Sequence, residues 1–209
     1  MAAELGKRVY VVRHGNTFDK GDIVRRVGGR TDLALSVSGR EQADRLAAHF
    51  MANGIVFDKA YSSPLKRTME TARSILTAQG GNLPIEPATF LREIDYGPDE
   101  NAPEEDVVRR IGEDALQKWE TDAIPPPGWL VDNDGLTAAW ASFLEQMAGT
   151  NARNILAVTS NGIARFLLNL PTLNNPDATL KLRTAAYGVI RIGDTGTPLL
   201  EDWNIRPPA

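Results

Sequence analysis

Three short polar clusters hold the residues of this chain best suited to chemistry: Arg13-His14-Gly15, Ser62 to Arg67, and Ser160-Asn161-Gly162. Each follows an apolar or β-rich run: Arg8 to Val12 before the first, Lys59 to Ser62 leading into the second, and Asn154 to Thr159 before the third. In an open parallel sheet the C-terminal ends of the strands are where ligands bind. Two of the clusters also open helical patterns, whose free N–H groups attract anions. Two arginines and a histidine gathered there suggest a phosphate site, because the planar guanidinium fork matches phosphate oxygens. Taken one at a time, Arg67 reads as a solvated helix residue and His14 as a turn residue, since lone basic side chains mostly sit on surfaces.

The elements that would position these clusters alternate between strand and helix. Ser38 and Glu41 form an S-x-x-E capping box ahead of a helix to about Asn53, with Ala43, Leu46, Ala47 and Phe50 at helical spacing. Ser63 and Pro64 suit an N-cap and first helical position for a helix carrying Leu65, Met69, Ala72, Ile75 and Leu76 on its apolar face. Pro84 to Glu86 reads as a short strand and Leu91 to Asn101 as a charged loop. Helical stretches follow over about Glu104 to Glu120 and Leu136 to Met147, joined by the stiff connector Ile124 to Gly128. NILAVT (154–159) reads as a buried parallel strand, Ser160-Asn161-Gly162 as a turn, and Ile163 to Leu170 as a helix. Tyr187 to Ile192 and Leu199 to Trp203 close the chain as a strand pair. The pattern predicts one α/β domain over residues 1–209, a three-layer, mostly parallel sheet with helices on both faces.

Composition narrows the functions available. Of 209 residues, 23 are Lys or Arg and 27 Asp or Glu, a net charge of −4 that argues against sequence-independent nucleic-acid binding. With no cysteine, disulfides, thiolate metal sites and a cysteine nucleophile are excluded. Two histidines are too few for a His-rich metal cluster. No apolar run approaches the roughly 20 residues that span a bilayer, and the first residues lack a signal-peptide pattern, so no membrane partner and a cytoplasmic location are expected. No Walker or dinucleotide glycine pattern is present, nor a nucleophile-elbow serine. Trp119, Trp129, Trp140 and Trp203 read as core or rim packing.

Taken in order, several motifs resemble those of the histidine phosphatase superfamily, the phosphoglycerate-mutase-like group. They are Val12-Arg13-His14-Gly15-Asn16-Thr17, Arg26 to Asp32, Leu35-Ser36, Gly39 to Ala43, and Tyr61 to Ala72. Leu91-Arg92-Glu93 and Val158 to Gly162 add weaker correspondence. The resemblance implies a phosphoglycerate-mutase-like fold and phosphoryl transfer through a covalent phosphohistidine. His14 would be the nucleophile, neutral, with one ring N–H held by a backbone carbonyl. Arg13 and Arg67 would clamp the non-bridging oxygens, Asn16, Thr17, Arg26 and Gly162 would join the phosphate site, and no metal or other cofactor is called for. Glu93 matches the position of the family's general acid, but Gly97-Pro98-Asp99-Glu100-Asn101 departs from the usual pattern there. Asp95 and Glu100 are therefore its rivals.

The largest departure is Asn161, where the family normally places a second histidine. An amide still donates a hydrogen bond, but without charge, which would cost on the order of 1–2 kcal/mol, roughly ten- to thirtyfold in rate. Three readings stay open: a natural variant that is still a phosphatase, an inactivating substitution, or a helix N-cap in a protein that binds phosphorylated ligands without turnover. His49 lies inside the first predicted helix, far from the strand ends. The expected function is a metal-independent phosphomonoesterase acting on a small phosphorylated metabolite. A phospho-ligand-binding relative and a mutase-type phosphotransferase are the alternatives. Lys20, Arg25, Arg26 and Arg30 crowd the loop after His14, as a second anion site or a solvated loop. The oligomeric state is left open, a homodimer being one option.

Overall fold

The computed structural model describes residues 6–173 and 179–208. Its elements are β1 (Lys7–Arg13), α1 (Val37–Ala52), β2 (Lys59–Ser62), α2 (Lys66–Thr77), β3 (Ile85–Pro87), α3 (Glu104–Ile111), α4 (Glu113–Asp122), α5 (Asn133–Ala148), β4 (Asn154–Thr159), α6 (Asn161–Ala164), β5 (Tyr187–Ile192) and β6 (Pro198–Ile205). The strands form a six-stranded sheet in the order β3-β2-β4-β1-β5-β6. β3, β2, β4 and β1 pair in parallel, while β5 and β6 extend the sheet antiparallel as a hairpin. Because β4 inserts between β1 and β2, the C-terminal ends of three parallel strands lie side by side.

The period-two alternation of a strand divides the core into two layers. Val9, Val11, Tyr61, Ile155, Ala157 and Ile190 face a cluster with Trp119, Trp140, Phe143, Met147 and Phe166. Tyr10, Val12, Ala60, Leu156, Val158 and Val189 face Leu46, Phe50, Ala72, Ile75 and Leu76 from α1 and α2. The fold is thus an α/β sandwich of three layers, and the runs in β1 and β4 are apolar throughout because both their faces are covered. Each fully buried Val, Leu, Ile or Phe contributes about 1.5–3 kcal/mol of burial free energy. Trp119, Trp129 and Trp140 are buried, and Trp203 is packed at the edge.

Helix boundaries show where tertiary contacts overrode local signals. α1 is capped by Ser36, whose Oγ accepts from Gly39 N at 3.1 Å, not by Ser38. The reason lies upstream: the Asp19 carboxylate accepts from Val37 N and Ser38 N, both at 3.0 Å, and so takes over the helix N-terminus. Hydrogen bonds from Ser38 hold Asp19 down to a pKa of about 2. α2 starts at Lys66, two residues beyond Pro64, with Asp32 Oδ1 accepting from Lys66 N at 2.6 Å. The stretch from Glu104 is broken into α3 and α4 at Gly112, whose φ of 86° no helix accommodates. The third polar cluster is no free turn: Ser160 is the N-cap and Asn161 the first residue of α6, which tightens into a 3₁₀ turn over Arg165–Asn169.

Candidate active site

β1 delivers Arg13 and His14 to the sheet's C-terminal edge, and a glycine pair fixes how the chain leaves it. A Cβ on Gly15 would overlap the Gly39 carbonyl, and one on Gly39 would overlap that of Asn16. Only two glycines allow the β1 exit and the start of α1 to approach this closely. His14 is buried, and its Nδ1 lies 2.7 Å from the Gly15 carbonyl, which can only accept. Nδ1 therefore carries the proton. Nε2 is then the acceptor, and it accepts from Arg67 Nε at 3.2 Å. Burial first, then the charges of Arg67 and Arg13, push His14 well below the usual imidazole pKa of 6.5, so the ring is neutral at pH 7.

Arg67 comes from the first turn of α2 and is wholly buried. Its NH1 donates to Thr31 O at 2.8 Å and its NH2 to Gly28 O at 3.1 Å. Arg13 donates through NH1 to Leu182 O at 2.9 Å, while its buried Nε lacks a partner. Burial holds both guanidinium groups below the ordinary arginine value, and Glu93 opposes that shift. Both stay charged at neutral pH.

The three rival carboxylates separate cleanly in space. Glu93 is buried and lines the cleft; its Oε1 accepts from Ile94 N at 2.9 Å and its Oε2 from Gly162 N at 3.2 Å. Gly162 has no side chain because a Cβ there would overlap the Glu93 carboxylate. Asp95 lies outside the cleft lining, paired with Arg30 Nε at 2.8 Å. Glu100 also lies outside it. Its Oε1 accepts from Gly28 N, Arg30 N and Thr31 Oγ1 at 3.1, 3.0 and 2.7 Å, and its Oε2 from Tyr96 N at 3.1 Å. Glu100 thereby pins the segment whose carbonyls hold Arg67, a support that no motif announced.

Asn161 also lines the cleft. Its Oδ1 accepts from Leu182 N at 2.8 Å, which fixes the amide and leaves Nδ2 as the donor. Leu182 is thus held through both of its backbone groups, its N–H by Asn161 and its carbonyl by Arg13. Behind Asn161, Arg165 is wholly buried, stacks 4.0 Å over Trp119, and donates from Nε to Asn161 O at 3.4 Å. In the sequence Arg165, like Phe166, reads only as part of an ordinary strand–turn–helix, because its isolated position within a helical pattern carries no motif.

The cleft encloses about 570 Å³. Asn16, Thr17 and Arg26 line it, as do Phe18, Val24, Arg25, Leu116, Trp119 and Glu120. Asn16 is fastened through its N–H to Gln42 Oε1 at 2.8 Å and through Nδ2 to Ser38 Oγ at 3.2 Å. Arg26 pairs with Glu104 and packs over the rings of Tyr96 and Trp129. Of the basic residues after His14, Arg25 and Arg26 reach the cleft, whereas Lys20 and Arg30 do not. His49 is elsewhere, in the last turn of α1, with Nε2 2.8 Å from the Tyr187 hydroxyl. Among the described residues no three His, Cys, Asp or Glu side chains converge as metal ligands, and no helix is long and apolar enough to cross a membrane.

Fold and site together define an α/β protein whose parallel strand ends gather one histidine, two arginines and a buried glutamate around a cleft. The family model for the histidine phosphatase superfamily (branch 1) matches residues 9–206, and the chain belongs to that superfamily. It is 35% identical over 193 residues to a 2,3-bisphosphoglycerate-dependent phosphoglycerate mutase of Parvibaculum lavamentivorans, covering 89% of this chain and 90% of that one. A crystal structure of phosphoglycerate mutase from Bacillus anthracis superimposes with a TM-score of 0.80 at 23% identity, over 95% of this chain and 93% of the other. A mycobacterial glucosyl-3-phosphoglycerate phosphatase superimposes with a TM-score of 0.75 at 22% identity, over 96% and 99%. A structure named as a mutase and one named as a phosphatase thus share its fold.

Proposed function

We propose that this chain is a phosphoric monoester hydrolase acting through a phosphohistidine on a small phosphorylated metabolite, without a metal ion. The observation that carries the reading is the fixed tautomer of His14: Nδ1–H is committed to the Gly15 carbonyl, and Nε2 holds its lone pair toward Arg67. An incoming phosphoryl group replaces Nε2 as the acceptor of the Arg67 Nε–H bond, with Arg13 on a second oxygen. Nε2 then attacks phosphorus in line; the N–P bond forms as the ester P–O bond breaks, and Glu93 protonates the departing oxygen. In the second step Glu93 takes a proton from water, the new P–O bond forms and the N–P bond breaks, releasing phosphate. The arginines offset the charge carried by the loose transition state. Asn161 donates a neutral amide N–H where the family pattern has a second histidine, which lowers the rate relative to a charged donor.

Hydrolysis of p-nitrophenyl phosphate in the presence of EDTA tests this reading. We expect turnover that falls by at least about a thousandfold in His14→Ala, with loss of acid-labile protein-bound phosphate. No turnover by the unaltered chain would favour a protein that only binds phosphorylated ligands. The names of the curated relatives favour a second reading, phosphotransfer between hydroxyls of a phosphorylated acid. Conversion of 3-phosphoglycerate to its 2-isomer without net phosphate release would establish that reading instead.

A further inference from the structure

Resemblance to the superfamily puts Arg26 in the phosphate site, yet its surroundings give the guanidinium other work. A short antiparallel bridge joins the loop after His14 to the start of α3: Arg26 N donates to Ala102 O at 2.9 Å, Asn101 N to Arg26 O at 2.8 Å, and Glu104 N to Val24 O at 2.9 Å. The bridge brings Arg26 to Glu104, and the two side chains are ion-paired. The guanidinium carbon lies 5.3 Å from the Tyr96 ring centre and 5.2 Å from that of Trp129, and those rings meet edge to face 4.5 Å apart. Only 15% of the Arg26 side chain is exposed, and its Nε is buried without a hydrogen-bond partner.

A guanidinium suited to a phosphoryl group presents a free, planar fork of N–H donors. That of Arg26 lies over two rings with NH2 spent on a carboxylate, so a phosphoryl oxygen taking that donor would have to displace Glu104. What Arg26 does reach is the wall of the cleft. Val24, Tyr96 and Glu104 all line the cleft, and each is tied to Arg26: Val24 through the backbone bridge, Tyr96 through its ring and Glu104 through its carboxylate. Trp129 is outside the lining but carries the same guanidinium, and its Nε1 donates to the buried Asp99 at 2.7 Å, which fastens the stack from behind. A cation over an aromatic face is held by the ring quadrupole, so rings and guanidinium keep one another in place.

We propose that Arg26 is a positioning residue: it holds the wall of Val24, Tyr96 and Glu104 against which the organic part of the substrate packs, and it does not receive the phosphoryl group. This rests on the phosphatase reading of the same cleft. The arginines then divide by task, Arg13 and Arg67 for the phosphoryl group and Arg26 for the shape of the space beyond it.

Arg26→Met tests it with p-nitrophenyl phosphate as substrate and inorganic phosphate as competing inhibitor, in about 0.2 M salt so that distant charge effects are screened. We expect KM to rise at least about threefold while Ki for phosphate stays within about twofold, because the phosphoryl end is untouched. Arg26→Lys keeps the charge but has no flat face to lay over the rings, so KM should stay raised by at least about twofold. Trp129→Leu, outside the cleft lining, should raise KM in the same way, and combining it with Arg26→Met should do no more than the more impaired single variant. Ki rising in step with KM, or full recovery in Arg26→Lys, would make Arg26 a phosphoryl ligand and overturn the proposal, and so would an unchanged KM in Arg26→Met. Should either larger change fold poorly, Arg26→Lys alone carries the contrast between KM and Ki. If the chain turns nothing over, the phosphatase reading fails, and calorimetric titration with phenyl phosphate and inorganic phosphate applies the same contrast to binding. Weakened phenyl phosphate with unchanged inorganic phosphate supports the proposal; any other pattern, including no binding of either compound, defeats it.

Discussion

At the inner end of the cleft the side chains are bonded mainly to the backbone, and at the outer end two ion pairs join side chain to side chain. His14, Arg13 and Arg67 each contact main-chain carbonyls, and Glu93 and Asn161 accept from main-chain amides. Outside them, Arg26 pairs with Glu104 and Glu120 with Lys181, with the glutamates and Lys181 partly or largely exposed. Backbone partners move only with the fold, so the inner end is held rigid for chemistry. Side-chain pairs at the rim rearrange at little cost, since exposed ion pairs contribute about 0–1 kcal/mol. On the proposed hydrolase reading, reaction belongs to the inner end and selection to the outer one.

Disabling proton delivery at the inner end should have the largest effect in this comparison. Glu93→Gln is expected to lower kcat on alkyl phosphates by about 10²–10⁴-fold. With p-nitrophenyl phosphate, whose leaving group needs no proton, phosphorylation should persist and show as a burst of p-nitrophenol. Equal losses in that first step on both substrates would deny Glu93 the acid role.

Glu100→Ala tests whether the inner end depends on support from beneath. It strips the acceptor from three backbone N–H groups and the Thr31 hydroxyl, and we expect a stability loss of about 2–3 kcal/mol by urea denaturation. Activity should fall with it, because Gly28 and Thr31 also supply the carbonyls that orient Arg67. A stable Glu100→Ala protein of normal kcat would show that Arg67 needs no such brace.

Asn161→His should raise kcat about tenfold, the difference between a neutral and a charge-assisted donor. Unchanged or reduced turnover would mean that the bond from Leu182 N to Asn161 Oδ1 matters more than a charge at Nδ2. The smallest effect concerns pH. Because the folded pKa of His14 lies well below 6.5, the acid limb of kcat/KM should fall below pH 6.5. The sign for stability follows: below about pH 6.5 the unfolded chain takes up a proton that folded His14 refuses, so stability declines as pH falls. His14→Asn should flatten that part of the stability profile in a thermal titration.

Residues whose partners lie close in sequence were legible without coordinates. Arg13-His14-Gly15 reads directly, because the carbonyl that sets the His14 tautomer belongs to the next residue. The strands 154–159 and 187–192 were equally plain, each a largely apolar run with turn signals at its end, and 59–62 was marked by the Ser63-Pro64 that follows it. Glu93 and Glu100 were not separable, since both are acidic residues in one irregular segment, and only packing sends one toward Gly162 and the other toward Gly28. Asp19 taking over the start of α1, and Arg165 stacking beneath Asn161, were equally hidden.

The sequence by itself determined the family, the three-layer alternation and the identity of the histidine and arginines, because these rest on periodicity and on short, ordered motifs. The tertiary structure alone decided which carboxylate faces the cleft, how the amide of Asn161 is turned, and which outer charges are already paired. Those outcomes depend on contacts between residues tens of positions apart, such as Glu93 with Gly162 and Asn161 with Leu182, whose distances are set by how the sheet orders its strands rather than by any local pattern.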